Sequence, residues 1–237
     1  MGTEVRGLIL FDIDGTLVQA GDKDHQIAFV TAMKQVYGRP ATLDGVPLAG
    51  MLDSQIARLA LSRQGLSEAE IDADLARMID AMGVHYAEAI AEQSRIERRL
   101  PGVVEIAERL RAERFALGVL TGNAREVARV KLSSAGILDY FPIGAFGDSA
   151  RERHHLVQAA WDEATAHFGH TFSAAQTVLI GDTPRDIAAA HENRANAVAV
   201  ATGRYSVADL TAHHPEAVFP DLSDTTAITQ AIEAMVG

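Results

Sequence analysis

Apolar positions along this chain follow two different periods. Leu8-Ile9-Leu10-Phe11 is an unbroken apolar run of strand length that ends abruptly in Asp12-Ile13-Asp14-Gly15-Thr16, which predicts a buried strand with polar chemistry at its end. From Asp22 to about Arg99 the period is helical. Ile27, Val30, Met33 and Tyr37 recur at helical spacing, and Gly38 with Pro40 stops that segment. Residues 43–53 read as loop; Asp53 or Ser54 then caps a short helix carrying Ile56, Leu59 and Ala60, which ends near Gly65. Ser67 with Glu70 forms a capping box, and Ile71, Leu75, Met78, Met82, Tyr86 and Ala89 make a long apolar stripe. These segments predict a small helical bundle inserted after the first strand. Arg95, Arg98 and Arg99 read as a solvated helix end.

Beyond residue 100, strand-like and helix-like stretches alternate, which signals an α/β fold with a doubly wound parallel sheet. Pro101 suits a first helical turn, with Val104, Ala107 and Leu110 on one face. Strands are expected over 115–120, 143–146, 177–180 and 197–201. Helices are expected over 123–135 and 152–168, from Pro184, from Ser206 and from Asp224. The core domain is thus discontinuous, 1–18 and 98–237, with an α-helical domain at 19–97. The two crossings fall near 17–21 and 97–102, where apolar periodicity lapses and Gly21, Pro101 and Gly102 appear.

Composition narrows the function classes. Of 237 residues 48% are hydrophobic, enough to fill a core, and the absence of Cys excludes disulfides, a thiol nucleophile and thiolate metal sites. It fits a reducing cytoplasm. The opening residues lack a signal-peptide pattern, and no apolar run approaches membrane-spanning length, so a cytoplasmic protein with no membrane partner is expected. The net charge, 21 − 32 = −11, speaks against nucleic acid as a partner. Oligomeric state stays open between monomer and dimer.

The candidate chemistry lies where strands end. In extended chain Asp12 and Asp14 point the same way, and two hard carboxylates this close call for a compensating cation such as Mg²⁺. Val119-Leu120-Thr121-Gly122-Asn123 is a second strand running into a polar turn before a helix, a place for an anionic oxygen. Val178-Leu179-Ile180-Gly181-Asp182-Thr183-Pro184-Arg185-Asp186 brings two more carboxylates to a third strand end.

Taken in order, these stretches resemble the motifs of the haloacid dehalogenase (HAD) superfamily, with a Rossmann-like core and, in the inserted helices, a C1-type cap. The resemblance implies Asp12 as nucleophile, Asp14 as general acid and base, and Thr121, Gly122 and Asn123 as phosphate-binding. It implies Mg²⁺ held by Asp12, Asp14 (through its carbonyl) and Asp182, with Asp186 orienting a ligand from behind. The third motif departs from the common Lys-Pro pair: here the stretch is Asp148-Ser149-Ala150-Arg151-Glu152-Arg153. Arg153 is the expected phosphate-gripping cation, with Arg151 the nearest rival and Lys131 a distant one. The loop before the second cap helix resembles the specificity loop of C1 caps and offers Asp53 and Gln55 as substrate contacts, although Asp53 can equally be a plain helix cap.

Among relatives, phosphoglycolate phosphatases are the nearest resemblance, implying Mg²⁺-dependent hydrolysis of a small phosphorylated metabolite through an aspartyl phosphate. Asp14 argues against the dehalogenases. Lys23 and Lys34, the lysines available to the cap, read as ordinary helix charges, against a Schiff-base phosphonatase. A sugar phosphomutase of the β-phosphoglucomutase kind shares every core motif and is the alternative; a catalytically silent regulator on the same fold is a third.

Overall fold

The structure is a computed structural model that describes residues 5–39, 42–91 and 93–237. Pro40, one of the two stops expected for the first helix, lies outside them. The described residues form a six-stranded parallel sheet in the order β3-β2-β1-β4-β5-β6. The strands are β1 (Leu8–Phe11), β2 (Ala116–Leu120), β3 (Ile143–Ala145), β4 (Thr177–Gly181), β5 (Asn196–Val200) and β6 (Ala217–Phe219). The last of these was not anticipated. At three residues with no residue fully buried, β6 is an edge strand too short to show a period.

The continuous apolar runs are explained by burial on both faces. Ile9, Phe11, Leu117, Val119, Val178 and Ile180 face α4 (Val103–Ala112), α5 (Arg125–Ser134) and α9 (Thr225–Val236). Their neighbours Leu8, Leu10, Leu120 and Leu179 face α6 (His155–Phe168), α7 (Pro184–Glu192) and the short α8 (Val207–Thr211). Pro101 does not open α4 as expected: the helix begins at Val103, after Gly102, whose φ of 80 and close approach to the Leu222 carbonyl leave no room for a side chain.

Between β1 and α4 lie α1 (Lys23–Tyr37), α2 (Asp53–Ser62) and α3 (Glu68–Ala89), which bury their own apolar cluster, including Phe29, Met33, Ile56, Leu61, Met78, Met82 and Tyr86. Ala124 and Val127 at the start of α5 join that cluster, so the insert rests on the helix that follows β2. The face of α1 differs from the expected stripe: Phe29, Ala32 and Met33 are buried, whereas Ile27 is 61% exposed. The Ser67–Glu70 capping box forms, with Ser67 N–H donating to Glu70 Oε2 (2.8 Å) and Glu70 N–H to Ser67 Oγ (3.3 Å).

The two crossings lie side by side. Val18 and Arg99 form an antiparallel bridge, with Gln19 N–H donating to the Arg98 carbonyl (2.8 Å) and Leu100 N–H to that of Leu17 (3.1 Å). Arg95 is not solvated as expected. It is buried beside the α1 cap residue Asp22, at 3.1 Å, and also pairs with Asp24, while Tyr86 Oη donates to Asp22 at 2.7 Å. No helix among the described residues is long and apolar enough to cross a membrane.

Candidate active site

The chain leaves β1 for β2 and β3 on one side, then for β4, β5 and β6 on the other, so the sheet's switch point lies beside β1. Asp12 follows β1 there, Thr121 follows β2, and Asp182 follows β4. Carboxylate oxygens of Asp12, Asp182 and Asp186 lie within 4.8 Å of one another, and all three residues are buried. A Cβ on Gly15 or Gly203 would run into the Asp182 carboxylate, so both glycines are required by close approach, and Gly15 also turns at φ 87.

Asp186 is the most fully engaged of the three. Its Oδ2 accepts from Thr183 N–H (3.1 Å) and Oγ1 (2.7 Å) at the start of α7, and its Oδ1 accepts from Arg153 Nη2 at 2.5 Å. The same guanidinium nitrogen stands 2.9 Å from Asp12. Arg153 is 7% exposed, and although burial disfavours its charge, Asp186 and Asp12 outweigh that and hold the guanidinium protonated. Arg151, the rival cation, has a side chain 76% exposed and reaches Asp72 instead.

Asp182 has a buried Oδ1 with no hydrogen-bond partner. Burial, reinforced by the Asp12 and Asp186 charges, pushes its carboxyl up to about 9. Burial likewise raises Asp12 to about 6, despite Arg153, with Asp186 and Asp14 adding to the rise. Crowded, desolvated carboxylates with an orphaned oxygen are what a hard cation satisfies, so the donor set fits a divalent metal.

Asp14 stands apart from this cluster. Lys131 Nζ donates to both of its oxygens, at 2.8 and 2.6 Å, and Asn123 Nδ2 to one of them at 2.7 Å. Burial favours the neutral acid, but the Lys131 charge and these hydrogen bonds hold the carboxyl below its ordinary range. Asn123 is the joint of the arrangement: its Nδ2 also donates to Thr121 Oγ1 (2.9 Å), and its Oδ1 accepts from Lys131 (2.9 Å).

Lys131, offered by the sequence only as a distant rival for the third-motif cation, has a place of its own. It is not beside the nucleophile, as a third-motif cation would be, but on Asp14. Its signal was present: it falls on the buried stripe Val127, Ala128, Lys131, Leu132 of α5, where a lysine is rare unless paired.

The inserted helices close the site from above. Asp53 does not cap its own helix, which begins at it. Instead its carboxylate accepts from Ala124 N–H at the start of α5 (2.8 Å), and its own N–H donates to the Gly122 carbonyl (2.8 Å). Gly122 has no room for a side chain because the Met51 carbonyl sits against it. Gln55 is held away from the cavity, its Oε1 accepting from Leu52 N–H (3.2 Å) and its Nε2 donating to the Arg151 carbonyl (2.9 Å). Between insert and core lies a cavity of about 270 Å³, lined by Asp12, Asp14, Thr121, Asn123, Lys131 and Asp182 below and by His25, Phe29 and Ile56 above.

A family model for haloacid dehalogenase-like hydrolases matches residues 9–200, which spans both the strand-end carboxylates and the insert. The chain belongs to this family. A phosphoglycolate phosphatase of Nitrosococcus oceani is 26% identical over 226 residues, 91% of this chain and 92% of that protein. The crystal structure of a predicted phosphoglycolate phosphatase from Haemophilus somnus is 25% identical with a TM-score of 0.65, covering 97% of this chain and all of the other. The structure of a β-phosphoglucomutase from Clostridium difficile superposes with a TM-score of 0.71 at 16% identity, covering 98% of each chain, and so shares the fold of this hydrolase family member.

Proposed function

We propose that this hydrolase cleaves a small phosphomonoester, with Asp12 attacking phosphorus to give an aspartyl phosphate that water then hydrolyses. The observation that carries the reading is the placing of Asp12: at the end of β1, open to the cavity, and flanked by one buried cation and a turn of hydrogen-bond donors. Covalent capture splits one difficult displacement into two easier ones. Arg153 and the Thr121–Asn123 turn bind the phosphoryl oxygens; Asp14, ionised beside Lys131, takes a proton from the incoming phosphate monoanion, passes it to the leaving alkoxide and later takes one from water. Asp12, Asp182 and the Asp14 carbonyl would hold Mg²⁺, with Asp186 orienting the set; the ion supplies positive charge against the phosphoryl oxygens. The helices of 19–97 act as a cover on the core of 1–18 and 98–237, admitting substrate and excluding bulk water. The names of the relatives point the same way, toward phosphatases. Steady-state assays should show net phosphate release from an alkyl phosphate with Mg²⁺ and no bisphosphate activator. Sugar-phosphate isomerisation faster than phosphate release would overturn the reading in favour of a mutase.

Arg153→Ala is expected to lower kcat at least ~100-fold, whereas Arg151→Ala changes it less than ~3-fold, because a buried charge-assisted contact is lost only in the first. Arg153→Lys, which keeps a charge between Asp12 and Asp186, controls for loss of folding. The reverse ranking would move the phosphate grip to Arg151.

The raised carboxyls give the cation a pH signature. An unfolded Asp ionises near 3.8, so as pH rises from there through about 6 for Asp12 and about 9 for Asp182 the metal-free folded state progressively loses stability. A bound cation replaces the protons and removes that loss. Mg²⁺ added to chelator-treated protein should therefore raise Tm more at about pH 8 than at about pH 5. An equal rise at both pH values would remove this cation site.

A further inference from the structure

The cavity has two unlike ends. Its floor is polar and belongs to the core, whereas the wall contributed by the insert is mainly apolar, with Phe29, Leu43, Leu48, Met51 and Ile56 beside Asp22, His25, Gln26 and Asp53. The charged groups near that wall are already committed. Asp22 is held by Arg95 and Tyr86, and Asp53 by Ala124 N–H. Lys131 is held by Asp14 and Asn123. His25 stands 3.4 Å by its Nδ1 from Lys131 and 3.4 Å by its Nε2 from Asp53, and is the exception in that its Nε2 makes no hydrogen bond to a described residue. Among the described residues that line the cavity, Arg204 is the one cation outside these pairs, and it is exposed.

A carboxylate on the substrate's organic part would therefore face apolar side chains and Asp53, with no buried cation left to receive it. A polyol would find Gln26 and His25 for some of its hydroxyls, but the rest would exchange water for methyl groups and a phenyl ring. An apolar group gains from the same wall. Size limits the group to a compact one: a cavity of roughly 150 Å³ takes a benzene ring, and the roughly 270 Å³ here must also hold the phosphoryl group.

We propose that the alcohol part of the substrate is a compact apolar group, a branched alkyl chain or a single aromatic ring, rather than a carboxylate-bearing or polyhydroxylated one. The assignment rests on the phosphatase reading and names the substrate class of that site. It differs from what the name phosphoglycolate phosphatase says of the relatives.

Leaving-group activation is kept out of the test by comparing alkyl esters. With the full chain and saturating Mg²⁺, kcat/KM is measured for benzyl phosphate, 3-methylbutyl phosphate, 2-phosphoglycolate and glucose 6-phosphate. The first two should exceed the last two by at least ~10-fold, about what one or two buried methylenes contribute to discrimination. Leu48→Gln, at a partly exposed position, should raise KM for benzyl phosphate ~5-fold or more while leaving inhibition by inorganic phosphate unchanged, since phosphate binds at the core end. Equal or reversed ranking of the four esters would overturn this inference and leave the phosphatase reading standing. Failure to hydrolyse any of them, and p-nitrophenyl phosphate as well, would overturn both.

Discussion

Asp12→Asn is expected to abolish turnover while leaving the protein folded at least as firmly as before. The amide cannot form the acyl phosphate, and loss of a covalent nucleophile typically costs on the order of 10⁶-fold. Stability moves differently. Burial and the neighbouring Asp186 and Asp14 carboxylates already disfavour a charge at this position, so an uncharged side chain of the same shape relieves repulsion in the metal-free state. Arg153 keeps Asp186 as its partner at 2.5 Å. Initial rates and thermal melts of chelator-treated protein check the pair of outcomes. A residual rate above about one-thousandth of the native rate would remove Asp12 as the nucleophile, since turnover would then be proceeding without it.

Asp14→Asn should lower kcat by ~10²- to 10⁴-fold with little change in inhibition by inorganic phosphate, because it removes proton transfer and not the phosphoryl grip. Lys131 adds a second measurement to this prediction. It bonds both Asp14 oxygens from a side chain only 3% exposed, so it would act by placing that carboxylate. Lys131→Met should then be slow alone, yet add little to Asp14→Asn in the double variant. Groups that act as a unit give such non-additive losses. Additive losses would mean that Lys131 acts on the substrate directly. A loss in Asp14→Asn confined to KM would mean that Asp14 binds rather than transfers protons.

Much of the core was legible because parallel sheets write themselves plainly. A strand buried on both faces must be apolar throughout, and the polar residue that ends it marks the sheet edge where ligands bind. Asp12, Thr121 and Asp182 could be placed from that rule alone, and the capping box of Ser67 and Glu70 from local chemistry. What stayed hidden depends on contacts distant in sequence. Asp53 looks like a cap for its own helix and serves one 71 residues away. Arg95 looks like a solvated end until Asp22, 73 residues before it, is brought alongside. Lys131 reaches Asp14 across 117 residues, and only its place on an apolar stripe hinted at a partner. Ile27 fitted the helical period as well as Phe29 did, since periodicity finds an apolar face but not which residue at its margin is covered.

The bridge between Val18 and Arg99 has a consequence for how the chain reaches its fold. The first two paired strands, β1 and β2, are separated by the whole insert, so aligning Leu8 with Ala116 requires closing a loop of roughly 108 residues, about 4 kcal/mol of chain entropy for a flexible segment. Within the insert α1 packs chiefly against α3, a shorter separation along the chain than that between β1 and β2, and contacts of lower separation form faster. Once α1 and α3 have packed and Arg95 has found Asp22, residues 18 and 99 are already side by side, and the long loop behaves kinetically as a short one. The helices that cover the site would then also be the template on which the central strands of the sheet first meet.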